Sequence, residues 1–277
     1  MTFSLITATL GRTEEIRILC DSLSKQTFKD FELYIVDQNE HHLIENIVKE
    51  FEPLFTIHYI RNIQKGLSLN RNIALRITKG DIIGFPDDDC YYAPDTLEKV
   101  YYSFNNNPQA IFVATSTYDN KSKRPRHSRN KLTIQKKDVL ECCISYNIFV
   151  RRNSTLFDER LGVGTYFSSG EETDYLYAQL NNKYSFGIFC PEASVFHPSP
   201  SNSLKKTKEF SSKVYKYSLG FAALQKKDWL ERHNNSALVL YLFYLLRAFC
   251  GMLLIKDFTL HWQSFKGKIV GFIKFKV

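Results

Sequence analysis

With 277 residues, 44% hydrophobic and 24% charged, the chain can bury the core of one large α/β domain or two smaller ones, and it is too apolar for a disordered segment. Its six cysteines, Cys20, Cys90, Cys142, Cys143, Cys190 and Cys250, form no C-x-x-C pair and no Cys/His zinc spacing, which argues against a structural zinc module and for buried thiols in a reducing cytosol. The net charge of +8 is uneven: residues 203–277 hold 14 Lys and Arg against 4 Asp and Glu, or +10, so the other 202 residues carry −2.

The N-terminal "MTFSLITATLGR" lacks a basic stretch followed by a long apolar core, so it reads as a first strand and not as a signal peptide. In "RTEEIRILCDSLSKQ", Ile16, Leu19, Cys20 and Leu23 recur at helical spacing, with Thr13 placed to cap the start. "FELYIV" is the next strand, ending at Asp37, and "FTIHYI" the third. "GLSLNRNIALRITKG" is helical in period through Asn70, Ile73, Ala74 and Ile77, and ends at Gly80. "DIIGF" is a strand that runs straight into Asp87, Asp88 and Asp89. "APDTLEKVYYSF" is a helix with Pro94 and Asp95 at its start. Strands alternating with helices predict a parallel sheet with right-handed crossovers. Such sheets bind ligands at the C-terminal ends of their strands, where Asp37 and the three aspartates fall.

Further on, "AIFVATSTY" and "NIFVRR" read as strands, separated by a polar, basic loop within 118–131. A Gly-rich loop enters a helix near Glu171 in "LGVGTYFSSGEETDYLYAQL". "YSFGIF" and "ASVFH" are short strands, the second ending at His197, and a helical region follows over about 205–230. The apolar run 237–255, "ALVLYLFYLLRAFCGMLLI", could be a core helix, a membrane span or an in-plane membrane helix. A span needs ~20 apolar residues, and Arg247 would be costly at a bilayer centre. Tyr241, Tyr244, Trp262 and flanking lysines favour the interface. Basic charge combined with this run predicts an anionic membrane surface as the partner of 237–277. With no helix-turn-helix, zinc-finger or RNP pattern, a nucleic-acid partner is not expected.

Three consecutive carboxylates exceed what a turn or helix cap needs. Together they suit a hard dication shared with a diphosphate. Glu171 and Glu172 fit the favourable charge of a first helical turn and equally a general base placed by a flexible loop. Arg71 alone reads as either a surface cation or a contact to anionic oxygens. His197 alone reads as structural, or as a metal ligand if it faces Asp89.

Five motifs occur in order, "SLITATLGR", "YIVDQNE", "KGLSLNRNIAL", "GDIIGFPDDDC" and "GEETDYLYAQL". Together they resemble glycosyltransferase family 2, the inverting nucleotide-sugar enzymes of GT-A fold, over roughly residues 3–198, and most closely its bacterial capsule and O-antigen branch. The resemblance implies an α/β, Rossmann-like nucleotide-binding sheet with helices on both faces over 1–202. A basic, apolar helical region that associates with membrane would follow over 203–277. It also implies roles. Ala8 and Thr9 would line the base and ribose pocket, Asp37 would bind a nucleobase such as uracil, and Arg12 and Arg71 would reach the nucleotide sugar. Asp87 and Asp88 would contact ribose and donor sugar. Asp89, with Asp87 and His197, would hold Mn²⁺ or Mg²⁺. Glu172 would be the general base, where the family most often has Asp, so Glu171 or Asp174 could serve instead. Leu10 replaces a tyrosine common near the base, and Cys90 a fourth acid, a thiol to which no metal role is given.

The expected activity is transfer of a sugar from a nucleotide-sugar donor, UDP-linked by preference, to a saccharide or lipid-linked saccharide acceptor. The expected place is the cytoplasmic face of the bacterial inner membrane, held peripherally. A nucleotidyltransferase would need a Gly-rich phosphate loop after the first strand, where only Gly11 stands. A non-catalytic binding module would not need Asp87, Asp89 and Glu172.

Overall fold

The computed structural model describes residues 1–119, 132–180, 182, 184–198, 208–254 and 257–277, and the backbone of 125–127. Most of the expected loop within 118–131, the first residues of the helical region at 205–207 and the last residue of the apolar run lie outside these. The chain divides into two compact units. One comprises Met1–Lys65, Leu69–Leu156 and Ala178–Ser199; the other comprises Gly66–Ser68, Phe157–Tyr177 and Pro200–Val277.

The first unit is built on one sheet. Strands β1 (Phe3–Thr9), β2 (Phe31–Asp37), β3 (Thr56–Arg61) and β4 (Ile82–Gly84) are parallel in the order β3-β2-β1-β4. Helices α1 (Glu14–Ser24), α2 (Glu45–Phe51) and α3 (Leu67–Leu75) lie between them in sequence. The apolar positions of α1 read from the sequence, Ile16, Leu19, Cys20 and Leu23, are all buried in the core with Leu5, Leu33 and Ile35. Thr13 stands at the N-cap of α1, but its side chain makes no capping bond. Helix α3 closes at Leu75 and not at Gly80. Gly80 instead packs where an added Cβ would sit 2.7 Å from the Ser4 backbone nitrogen.

Beyond β4 come β5 (Tyr91–Tyr92), α4 (Thr96–Asn106), β6 (Phe112–Tyr118), β7 (Pro125–His127), β8 (Thr133–Ile134), α5 (Val139–Cys142) and β9 (Ile148–Arg151). The sheet continues β4-β9-β6-β10-β5, with β7 beside β6 and β8 beside β10. Strand β9 is antiparallel to both neighbours, so the parallel expectation holds for the first four strands and again between β6 and β10, but not across β9. The two short strands expected around residues 184–197 form one, β10 (Gly187–Phe196), whose pairing to β6 shifts register between Cys190 and Ser194. An interior irregularity at Pro191 reads as two strands in sequence, because proline donates no ladder hydrogen bond.

Between β9 and β10 lies α6 (Glu171–Gln179), and after β10 come α7 (Lys208–Leu230), α8 (Asn235–Leu254) and α9 (Phe258–Lys274). In the second unit α9 lies tightly against α7. A Cβ on Gly267 or Gly271 would come within 2.6 Å of the Tyr215 carbonyl or 2.4 Å of the Leu219 carbonyl, so small residues one turn apart set this approach. Only Ala237, Tyr241, Ala248 and Gly251 of α8 are buried. Val239, Leu242, Phe243, Leu246, Phe249, Leu253 and Leu254 are exposed. Alternating steps of three and four through 239, 242, 246, 249 and 253 put them on one stripe. Among the described residues α8 is the one helix long and apolar enough to cross a membrane, with 22% of its apolar window buried. Among the described residues, then, α8 is not packed as a core helix.

Candidate active site

The three aspartates follow β4 in a tight turn, closed by the Cys90 N–H donating to the Asp87 carbonyl at 3.1 Å. The turn sends each carboxylate to a different partner. Asp87 Oδ1 accepts from Arg71 Nη2 at 2.9 Å and from Ser145 Oγ at 3.0 Å. Asp88 Oδ2 accepts from Thr9 Oγ1 at 2.8 Å, and Asp88 Oδ1 lies 3.2 Å from Arg12 Nη1. Asp89 pairs with the same Arg12 nitrogen, and its Oδ1 lies 3.0 Å from His197 Nε2.

These partners explain opposite titration. Burial dominates at Asp88 and pushes its carboxyl up to about 6, against the pull of Arg12 and Thr9. Burial also opposes charge on Asp89, but the His197 and Arg12 contacts overcome it and hold that carboxyl at about 2. Cys90 is fully buried, and burial raises its thiol well above the usual range, consistent with no ligand role.

His197 faces the aspartates. Its Nδ1–H donates to the Pro198 carbonyl at 2.8 Å, and its ring stacks on Tyr146 at 4.5 Å between centroids. Because a carbonyl only accepts, this bond fixes the proton on Nδ1 and turns Nε2 toward Asp89 and Asp87. One ligand atom each from Asp87, Asp89 and His197 lies within 4.8 Å of the others. Two carboxylates and an oriented imidazole fit a first-row dication such as Mn²⁺, and suit Mg²⁺ less because of the nitrogen donor.

Arg71 is no surface cation. It is 1% exposed, on α3, with its guanidinium over the Phe85 ring at 5.9 Å. Asp37, at the end of β2 opposite Thr9, is fully buried. Its Oδ1 accepts from the Asn39 N–H at 2.9 Å and from Asn39 Nδ2 at 2.6 Å, and its Oδ2 from Tyr59 OH at 2.6 Å. Asn39 Oδ1 in turn accepts the Gly11 N–H at 2.7 Å, tying the loop that carries Arg12 to the end of β2. Ala8 is half-buried just before Thr9. A cavity of about 250 Å³ is lined by Arg12, Glu15, Ile18, Asp89, Tyr91 and Pro198. Sequence reasoning missed Asn39, Tyr59, Ser145 and Tyr146. Only Asn39, two residues after a strand-end aspartate, carries a local signal, that of an Asx-type turn.

The second unit holds the acids of α6. Glu171 is buried, and Glu172 is half-buried. The Gly162 turn has φ of +101°, and a Cβ there would approach Glu171 Cδ at 3.1 Å and Ser68 Oγ at 2.8 Å, so only glycine suits the position. Asp174 is committed elsewhere: it meets Lys227 Nζ at 2.9 Å and Arg232 Nη2 at 2.7 Å. Lys227 also reaches Asp158 at 2.7 Å, and Asp158 takes a bidentate contact from Arg160.

Comparison with known proteins gives this geometry a context. The model of the family described as Glycosyl transferase family 2 matches residues 4–167. An uncharacterized glycosyltransferase of Haemophilus influenzae is 35% identical over 111 residues, covering 40% of this chain and 37% of that protein. TarP of Staphylococcus aureus, a poly(ribitol-phosphate) beta-N-acetylglucosaminyltransferase, is 23% identical over 193 residues, covering 67% of this chain and 59% of its own length. The chain thus matches less than two thirds of the length of either relative. The crystal structure of S. aureus TarS 1–349 in complex with UDP-GlcNAc shares the fold, with a TM-score of 0.59 at 15% identity, covering 99% of this chain and 91% of that one.

Proposed function

The chain belongs to glycosyl transferase family 2, and we propose that it transfers a sugar from a nucleotide-sugar donor to a hydroxyl of a saccharide acceptor, with inversion at the anomeric carbon. The observation that carries this reading is the convergence of Asp87, Asp89 and His197 within 4.8 Å at the end of β4. Those three residues would hold Mn²⁺, with Mg²⁺ second. The bound ion would stabilise the charge of the departing diphosphate.

The chain's own groups do the rest. Thr9 and Asp88 receive the ribose and sugar hydroxyls, beside Ala8. Arg71 holds Asp87 in place from beneath, and Arg12 reaches the phosphates. Asp37 has four lone-pair sites, three of them filled by Asn39 and Tyr59. We assign Asp37 and the Asn39–Tyr59 network around it to the nucleobase end of the donor, and the TarS complex with UDP-GlcNAc supports a UDP-sugar. Glu172 takes the proton of the attacking hydroxyl. The new bond forms between that oxygen and the anomeric carbon as the anomeric carbon–phosphate oxygen bond breaks, and the nucleoside diphosphate leaves. Glu172 is favoured over Glu171 by exposure, and over Asp174 because two cations hold the latter.

The acceptor we assign is a lipid-linked saccharide, reached from the cytoplasmic face of a bacterial inner membrane on which α8 and α9 lie in plane. The exposed stripe of α8 supports this, as does the packing of its other face on protein. The test is calorimetry of the purified chain with UDP- and GDP-sugars, with and without Mn²⁺. Manganese-dependent uptake of a UDP-sugar is expected, and no dication-dependent uptake of any sugar nucleotide would overturn the reading.

A further inference from the structure

The edge of the α8 stripe holds two cations that the transfer reaction does not use. Arg247 is exposed, on the same helix as Leu246 and Phe249 and over the Tyr244 ring at 6.0 Å. Lys268, on α9, is 7% exposed, and its ammonium lies over the Phe221 ring at 5.7 Å and donates to Ser264 Oγ. Phe221 and Tyr244 touch edge-on at 5.3 Å, so the two cations flank one aromatic pair. Their charges also interact: burial, and then the Arg247 charge, push Lys268 down to about 8.

A buried ammonium normally has a carboxylate partner, because desolvating an unpaired charge is costly. Among the described residues neither Lys268 nor Arg247 forms an ion pair. The exposed Arg247 and the buried Lys268 flank one aromatic pair, a place that an anion from outside would complete. The apolar side chains beside them say which kind. Phe249 packs on Phe265 at 5.8 Å, and Phe265 on Trp262 at 6.3 Å, so the exposed apolar surface runs from α8 onto α9. An anion presented together with an apolar surface is a lipid phosphate.

We propose that Arg247 and Lys268 form a seat for the phosphate of an anionic bilayer lipid at the border of the α8 stripe. The proposal rests on the membrane reading above and adds to it a specific headgroup contact. Guanidinium suits phosphate oxygens, and a cation at the flank of an apolar stripe lies at headgroup depth when the stripe is inserted. Phosphate bound there would supply Lys268 with its missing counter-charge.

The experiment is co-flotation of the full chain with vesicles of phosphatidylcholine alone and of phosphatidylcholine mixed with phosphatidylglycerol. Wild type should partition better to the mixed vesicles. Arg247→Gln and Lys268→Met should each lose about five-fold of that preference, as expected for one cation at a lipid surface, and should keep binding to phosphatidylcholine. Lys266→Gln removes the same charge from an exposed α9 residue over Tyr215 and should lose clearly less. Arg247 is exposed, so its variant stands if Lys268→Met folds poorly. Equal losses in all three variants, or none in Arg247→Gln, would overturn the seat. Equal binding of wild type to both vesicle types would overturn the seat and leave the membrane reading intact. No binding to either would end both.

Discussion

Lys227 Nζ lies 2.9 Å from Asp174 Oδ2, inside the second unit, where both side chains are almost fully buried. Arg232 closes on the other oxygen at 2.7 Å. Each Asp174 oxygen is thus turned toward a cation within the unit rather than toward an incoming hydroxyl. Asp174→Asn should therefore act on folding: removing one partner of a buried pair costs about 3–5 kcal/mol. Urea denaturation should show that loss, while the pH–rate profile of the surviving folded fraction keeps its acid limb.

Glu172→Gln should remove the proton acceptor and lower turnover by about 10²–10⁴-fold, with donor and Mn²⁺ uptake by calorimetry unchanged. Glu171→Gln, altering a buried group packed beside the Gly162 turn, should fall mainly in stability. The opposite pattern would move the base to Glu171.

Arg12 is the cation nearest the proposed dication ligands. It sits across Asp88 and Asp89 at the rim of the cavity. Arg12→Gln should raise Mn²⁺ affinity in the absence of nucleotide, by up to about five-fold for a partly exposed pair. It should weaken UDP binding in the presence of Mn²⁺. Titration with Mn²⁺ followed by electron paramagnetic resonance reads the first effect without turnover.

Asp158 predicts the acid limit of the second unit. Burial alone would raise its carboxyl, but Arg160 and Lys227 hold it well below the usual range. A depressed carboxylate contributes stability that is fully present above its unfolded value, about 3.9. That stability fades as pH falls toward the folded value. Wild type should lose denaturation midpoint steeply below pH ~4, and Asp158→Asn should be less stable at neutral pH with a flatter acid dependence.

The first four strands were legible because each is a short apolar run bounded by turn residues, and the family's motifs lie at their ends. The antiparallel β9 was not, because period-two patterning gives a strand no direction. Asp87, Asp89 and His197 were legible as types, but their meeting depends on the path of β10, 108 residues on from Asp89. Ser145 and Tyr146 left no trace, since a single hydroxyl and a single ring contact have no local signature. The cations around Asp174 come from α7 and from the residues just after it, so they too were invisible at the α6 motif.

On the proposed membrane reading, the bare side of α8 would change what concentration means for this protein. Leu253 and Leu254 stand 72% and 82% open, and a chain resting on them would meet a lipid-borne acceptor by lateral diffusion within the bilayer plane. Its velocity would then follow molecules per unit of lipid area, and adding inert vesicles at constant bulk acceptor would slow it.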